Sequence, residues 1–278
     1  MSNKLVKNQE QLNIEQPVAT KKLIYASDLD RTLIFSERFI KEYPSDTPYS
    51  PVEYKGIEIV SYMDDAVKTE LLKIAKHPEV EFIPITSRST EEYNRINLGF
   101  KPEYVVLASG GIILHNGEID LEYAKYVKKY MNYNEVLSIL ADVEDSLDSV
   151  NYTVKMIDNT YLFYKTDDPE RYDDEVLQLM LKYPEWIFTR QNNKCYAIPK
   201  HISKQVALRW LWHKLGQPKI VASGDSELDL PMLGLANAAV IPKHGSLVKD
   251  GYVVEGNIVD GGIRSPLKTF EVVRNMLK

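Results

Sequence analysis

Five short, largely apolar runs, separated by stretches of helical periodicity, constrain this chain more than any other feature of its sequence. They are Leu23–Ala26, Val80–Ile85, Tyr104–Ala108, Lys219–Ala222 and Ala238–Ile241. Continuous apolar character, rather than alternation, marks strands covered on both faces, as in parallel sheets. Between them, Val67, Leu71, Leu72 and Ala75 recur at helical spacing within Asp65–Lys76, behind a cap at Asp64. Ser89 with Glu92 reads as a capping box opening a short helix. Ser203 is placed to cap a helix carrying Val206, Ala207, Trp210, Leu211 and Leu215 on one stripe. Such strand–helix alternation predicts an α/β fold with a doubly wound parallel sheet. Pro84 lacks a ladder donor, so a distortion is expected in the second run.

Two stretches break the alternation. Residues 36–63 are rich in Tyr, Pro and Ser, and Val52–Tyr62 reads as a hairpin about Lys55-Gly56. Residues 118–199 have their own rhythm: a helix near Asn134–Leu147, strands Tyr152–Ile157 and Thr160–Lys165 turning at Asp158-Asn159, a helix near Tyr172–Lys182, then strands Trp186–Arg190 and Lys194–Ile198 turning at Asn192-Asn193. This αββαββ order predicts a small α+β domain at 118–199, inserted into a core of residues 21–117 and 200–278. Residues 1–20 are polar, lack the apolar centre of a secretory signal, and read as a flexible tail.

A net charge of −6 offers no global basic field for nucleic acid. No apolar run approaches the roughly 20 residues that cross a bilayer, so no membrane partner is expected. A single cysteine, Cys195, excludes an intrachain disulfide and fits a reducing compartment, so a cytoplasmic location is expected. An acidic chain that handles phosphate must concentrate positive charge locally.

The chemistry-bearing residues sit where strands end or helices begin. Asp28 and Asp30 follow the first run, beyond a strand's carboxyl end, where open α/β sheets bind ligands. One carboxylate there can attack phosphorus and form an aspartyl-phosphate, while the other handles protons on the leaving oxygen. Their joint charge calls for a hard cation such as Mg²⁺. Gly224-Asp225 follows the fourth run, and Asp229 lies one helical turn on, on the same side. Lys204 adds a full charge to the helix start capped by Ser203. Thr86-Ser87-Arg88 ends the second run with hydroxyls and exposed N–H groups. Taken singly, each of these is also what an acidic turn, a helix start or a solvated lysine looks like.

Together they resemble the haloacid dehalogenase (HAD) superfamily. Asp28-x-Asp30-x-Thr32 is similar to its first motif, Thr86 in Ile85-Thr86-Ser87-Arg88 to its second, Lys204 in Ile202-Ser203-Lys204 to its third, and Gly224-Asp225-x-x-x-Asp229-x-Pro231-Met232 to its fourth. The resemblance spans Leu23 to the C-terminus. It implies Asp28 as nucleophile and Asp30 as general acid/base. It implies Mg²⁺ held by Asp28, the Asp30 carbonyl and Asp225, with Asp229 as ligand or orienter, and phosphoryl oxygens held by Thr86, Ser87 and Lys204. The insert then corresponds to a type-two cap like that of sucrose-phosphate phosphatase-like hydrolases. A small phosphorylated metabolite, sugar-phosphate-like, is the implied substrate, with Arg88, Lys165, Arg190 and Lys194 as candidate contacts to its non-phosphate part. A phosphomutase using the same nucleophile, or a catalytically silent binding module, are the alternatives. Arg31 and Leu228 depart from the family's pattern, where Gly and Asn are common.

Overall fold

The computed structural model describes residues 21–146, 153–165, 169–191, 193–252 and 255–278, so the expected tail lies outside the described residues. Burial organises the core. β1 (Leu23–Ser27) is buried at every position. The chain then forms α1 (Glu37–Glu42), the hairpin β2 (Tyr49–Lys55) and β3 (Glu58–Asp64), and α2 (Asp65–Ala75), whose first N–H groups are capped by Asp64. Next come β4 (Val80–Pro84), the single turn α3 (Thr90–Tyr93) with its Ser89/Glu92 capping box, β5 (Tyr104–Leu107), β6 (Ile112–His115) and β7 (Glu118–Ile119). Five strands form a parallel sheet in the order β14-β13-β12-β1-β4, once β12 (Lys219–Ser223), β13 (Ala238–Pro242) and β14 (Asn257–Val259) are added. α2 and α10 (Ser265–Met276) cover one face, where Tyr25, Val221 and Phe270 are buried together. α7 (Lys204–Lys214) and α8 (Leu230–Leu233) cover the other, and α9 (Ser246–Lys249) follows β13. The fold is the doubly wound α/β class, with further elements beside the core.

Two expectations about strands need correction. The run Tyr104–Ala108 is not a full member of the parallel sheet: β5 pairs antiparallel with β6 and meets β4's extension only at an Ile85–Val106 bridge. That bridge is parallel, so the run is the buried strand expected and keeps the expected direction beside β4, but its pairing there stops after one bridge. Pro84 causes no distortion, because β4 stays in register to Pro84 against Ser27. Ile85 N–H donates to Ser27 O and Thr86 N–H to Val106 O. The alternation puts the missing donor of Pro84 on the side away from β1, before pairing with β5 begins.

The insert follows the expected order after an additional helix, α4 (Leu121–Tyr130), capped by Asp120. α5 (Tyr133–Ser146), β8 (Thr153–Ile157), β9 (Tyr161–Lys165), α6 (Pro169–Lys182), β10 (Trp186–Gln191) and β11 (Lys194–Pro199) build a four-stranded antiparallel sheet, ordered β10-β11-β9-β8, with its helices. Asp158 and Asn159 turn β8 into β9 with φ of 45° and 57°, the left-handed geometry that tight hairpins require. Of the expected elements here, Leu147, Tyr152 and Asn192 lie outside the described residues. That β8–β9 turn docks beside Thr86-Ser87-Arg88: Asp158 accepts from Thr90 N–H and Oγ1–H (2.7 and 2.9 Å), and Tyr161 O–H donates to Ser87 O (2.7 Å). Among the described residues, no helix is long and apolar enough to cross a membrane.

Candidate active site

The carboxyl ends of β1, β4 and β12 converge on one buried charge cluster. Asp28 N–H donates to Ser223 O (2.9 Å), so the β1–β12 ladder runs one residue past β1 and fixes the start of the following loop. That loop closes on itself, with the N–H groups of Thr32, Leu33 and Ile34 all directed at Leu29 O. Asp28 is only 5% exposed. Lys204, at the first position of α7 and 4% exposed, donates from Nζ to Asp28 Oδ1 (2.6 Å) and Asp229 Oδ1 (2.7 Å). A lysine at a helix start is usually solvated; here the burial of two carboxylates draws it inward.

Asp229 is held by three donors on its other oxygen: the N–H groups of Asp225 and Ser226 and the Ser226 hydroxyl, each at 3.1 Å. This tight return needs Gly224, since a Cβ there would lie 2.5 Å from the Asp229 side chain. Gly245 is required likewise, because a Cβ would sit 2.5 Å from Asp225 O. Asp28, Asp225 and Asp229 each offer an oxygen, and these atoms lie within 4.8 Å of one another.

Three buried carboxylates against one buried ammonium leave excess negative charge. Burial, together with the neighbouring Asp229 and Asp30, pushes the Asp28 carboxyl up to about 7 despite Lys204. Burial, then Asp28 and Asp229, pushes Asp225 well above the usual carboxylate range. Among the described residues the one cation within ion-pair distance of Asp225 is Arg31, whose Nε lies 3.3 Å away and makes no hydrogen bond. An all-oxygen donor set with uncompensated charge suits a hard divalent cation, so the residues fit Mg²⁺.

Asp30 faces the cleft with its side chain 49% exposed. Arg88 grips it with two bonds, Nε to Oδ2 (2.7 Å) and Nη2 to Oδ1 (2.8 Å). Partial desolvation by the cleft walls would raise the Asp30 carboxyl, but the bonds and charge of Arg88 outweigh it and hold Asp30 below the ordinary value. Thr86 is fully buried, and its Oγ1 accepts from Arg88 N–H (3.2 Å).

Arg31 explains its own presence in the position where small residues are common. Its φ of 59° is a left-handed conformation that favours glycine. The strain is offset by a reciprocal clasp: Arg31 Nη2 donates to His244 O (3.2 Å), and His244 Nε2 lies 2.6 Å from Arg31 O. Gly262 N–H donates to His244 Nδ1 (3.0 Å), so Nε2 carries the proton. Burial pushes His244 down to about 4, keeping it neutral, and the Arg31 guanidinium lies over Phe39 of α1. The clasp ties the Asp28–Thr32 loop to the loop after β13.

The cluster opens into a cleft of about 1450 Å³, bounded by the core loops and by β10 and β11. Asp28, Asp30, Ser87, Lys204 and Asp225 line it, as do Arg190 and Lys194 from the insert. Lys165 does not, and Arg88 turns to Asp30 instead of toward the open cleft. Sequence reasoning missed His244 and Glu53, the buried carboxylate 2.8 Å from Arg88 Nη1. An isolated Glu in a hairpin or a His in a loop carries no spacing signal, and only tertiary structure reveals them.

The sequence profile of the sucrose-6F-phosphate phosphohydrolase family matches residues 58–243. No curated protein matches the chain in sequence. Among solved structures, the sucrose-phosphatase of Synechocystis sp. PCC6803 in complex with sucrose and phosphate is similar to it, with a TM-score of 0.64, 14% identity, and 93% of this chain and 98% of that one covered. A haloacid dehalogenase-like hydrolase from Bacillus subtilis superposes with a TM-score of 0.55 at 12% identity, covering 94% of both chains. Trehalose-6-phosphate phosphatase of Aspergillus fumigatus does so with a TM-score of 0.52 at 15% identity, covering 92% and 93%.

Proposed function

The chain belongs to the sucrose-6F-phosphate phosphohydrolase family and is a phosphoric monoester hydrolase of the HAD superfamily; from that premise we propose that it hydrolyses a small sugar-phosphate-like metabolite through an aspartyl-phosphate on Asp28. The observation that carries this reading is the buried Asp28–Lys204–Asp229 triad, open on one side to a polar cleft. The solved relatives with sucrose or trehalose phosphate in their names support the substrate class. Residues 21–117 and 200–278 act as the core in this reading, and 118–199 as a cap.

Phosphoryl transfer depends on positioning and on charge stabilisation. An Asp28 carboxylate oxygen attacks phosphorus, and the bond from phosphorus to the leaving oxygen breaks. Asp30, once it has taken up a proton from the cleft against the pull of Arg88, gives it to that oxygen, then takes one from the water that attacks the aspartyl-phosphate, releasing inorganic phosphate and free Asp28. Lys204 holds Asp28 in place and opposes the charge gathering on the phosphoryl oxygens, with Thr86 and Ser87 offering donors beside it. Mg²⁺ held by Asp28, Asp225 and Asp229, with the Asp30 carbonyl, would supply the charge that lets one anion approach another. Arg190 and Lys194 reach the substrate's leaving part from the cap.

The test is phosphate release from a panel of phosphorylated sugars, polyols, nucleotides and cofactors, with Mg²⁺ and with EDTA. Sugar phosphates are expected to turn over with Mg²⁺ only, and Asp225→Ala to raise the Mg²⁺ requirement steeply. Release that persists in EDTA contradicts the metal assignment, and no release from any sugar phosphate contradicts the substrate class.

A further inference from the structure

The 36–63 segment contains a carboxylate that the proposed chemistry has not used. Glu53 lies in β2 and is completely buried. The hairpin is irregular at this residue. The β2–β3 register shifts between Pro51 and Glu53 and again between Glu53 and Tyr54. Successive side chains of a strand leave opposite faces, and Val52 and Glu53 are both buried on theirs. Bulges re-aim single side chains and recur beside active sites. Val52 joins the apolar face under α2, while Glu53 turns toward the loop after β4.

Glu53 is met there by three partners: Arg88 Nη1 at 2.8 Å, Arg95 Nε at 3.3 Å and the Ser61 hydroxyl at 2.8 Å. Arg88 carries Asp30 on its other edge. The result is a row of alternating charge, Asp30–Arg88–Glu53–Arg95, running from the cleft through the buried Glu53 and out to the exposed Glu91, which pairs with Arg95. The hairpin holds its end of the row rigidly. Asn97 N–H donates to Val52 O (2.7 Å), Glu53 bridges Ile96, and Phe35 bridges Tyr62.

We propose that Glu53 is a positioning residue for the reaction: it fixes Arg88 by its far edge and shares that cation's charge, so that Asp30 is oriented toward the leaving oxygen without being locked to the guanidinium. This rests on the proposed role of Asp30 as acid/base. Without a charged Glu53, Arg88 has one anionic partner left in the row, Asp30, and its far edge is held only by the long bond from Nη2 to the Ser61 hydroxyl (3.4 Å). A buried cation with a choice of geometries then either clamps Asp30 or leaves it misplaced. Proton delivery to the leaving oxygen suffers, while attack by Asp28 does not. The 36–63 segment is thereby a working part of the site.

The discriminating property is dependence on the leaving group. A sugar or alkyl phosphate needs a proton on its leaving oxygen, whereas p-nitrophenolate departs without one. Glu53→Gln keeps the shape and removes the charge. It is expected to lower kcat on an alkyl or sugar phosphate by about 10- to 100-fold with KM little changed, and to lower p-nitrophenyl phosphate turnover by less than about threefold. Asp30→Asn serves as the reference and should show the same bias more strongly. In an Arg88→Gln background, Glu53→Gln should add no further bias, since Glu53 acts through Arg88. If Glu53→Gln does not fold, Glu53→Asp, which keeps the charge but withdraws it by one methylene, carries the same expectation. Equal losses on both esters, no loss on either, or an undiminished effect in the Arg88→Gln background overturns the proposal when Asp30→Asn retains its bias. An unbiased Asp30→Asn instead removes the role of Asp30 itself, and the role of Glu53 with it.

Discussion

At the scale of single residues, the protein tolerates buried charge only where it is answered, and the exceptions are informative. Lys204 answers Asp28 and Asp229, and Arg88 answers Asp30 and Glu53. Glu81, on β4 and far from the cleft's reacting groups, is answered poorly. It is 4% exposed, with Lys21 at 3.4 Å and with Glu103 adding repulsion. Burial pushes its carboxyl from 4.5 up to about 7. The folded state therefore keeps a proton that the unfolded chain releases, and stability falls as pH rises from about 4.5 to about 7. Glu81→Gln removes this penalty. Thermal unfolding should show the variant more stable by about 1–2 kcal/mol at pH 8, with the gain fading toward pH 4.5. An equal gain at both pH values would assign the effect to packing rather than to ionisation.

At the scale of elements, the parts that were legible in the sequence are those with a local cause. Asp64, Ser89 and Ser203 cap helices where their spacing predicts. Four of the five apolar runs enter the parallel sheet, and the αββαββ order of the insert is read directly from its periodicity. β14 escaped because three residues, two of them exposed, carry no pattern. β5 stands apart because it meets β4 at a single parallel bridge and pairs along its length with β6, and burial does not specify the partner. The positions of Asp28, Asp225, Asp229 and Lys204 followed from the ends of strands and the start of a helix, but the inward turn of Lys204 and the reach of Glu53 depend on tertiary burial. The proposed cap supplies the element-scale test. Arg190→Ala or Lys194→Ala should lower kcat/KM for the true substrate far more than for p-nitrophenyl phosphate, because remote contacts orient only the larger ester. Equal losses on the two esters would remove β10 and β11 from substrate recognition.

At the scale of the whole molecule, a chain of net charge −6 gathers the buried carboxylates Asp28, Asp225 and Asp229 and the buried ammonium of Lys204 at one end of its sheet. The sheet's carboxyl ends, α7 and the loop after β12 assemble the site from residues up to 201 positions apart in sequence, from Asp28 to Asp229. The four-stranded sheet continues the apolar cluster beneath α7, where Leu162 and Tyr164 of β9 share one core with Leu208 and Leu211. The claim on which this account turns is that Asp28 becomes phosphorylated. Its most direct measurement is acid quenching during turnover of a ³²P-labelled sugar phosphate with Mg²⁺, followed by peptide mapping of the labelled protein. The account predicts acid-stable label on the peptide bearing Asp28, and neither label nor phosphate release from Asp28→Asn protein that melts like the wild type. Label on another residue, or phosphate release by Asp28→Asn at the wild-type rate, would contradict it.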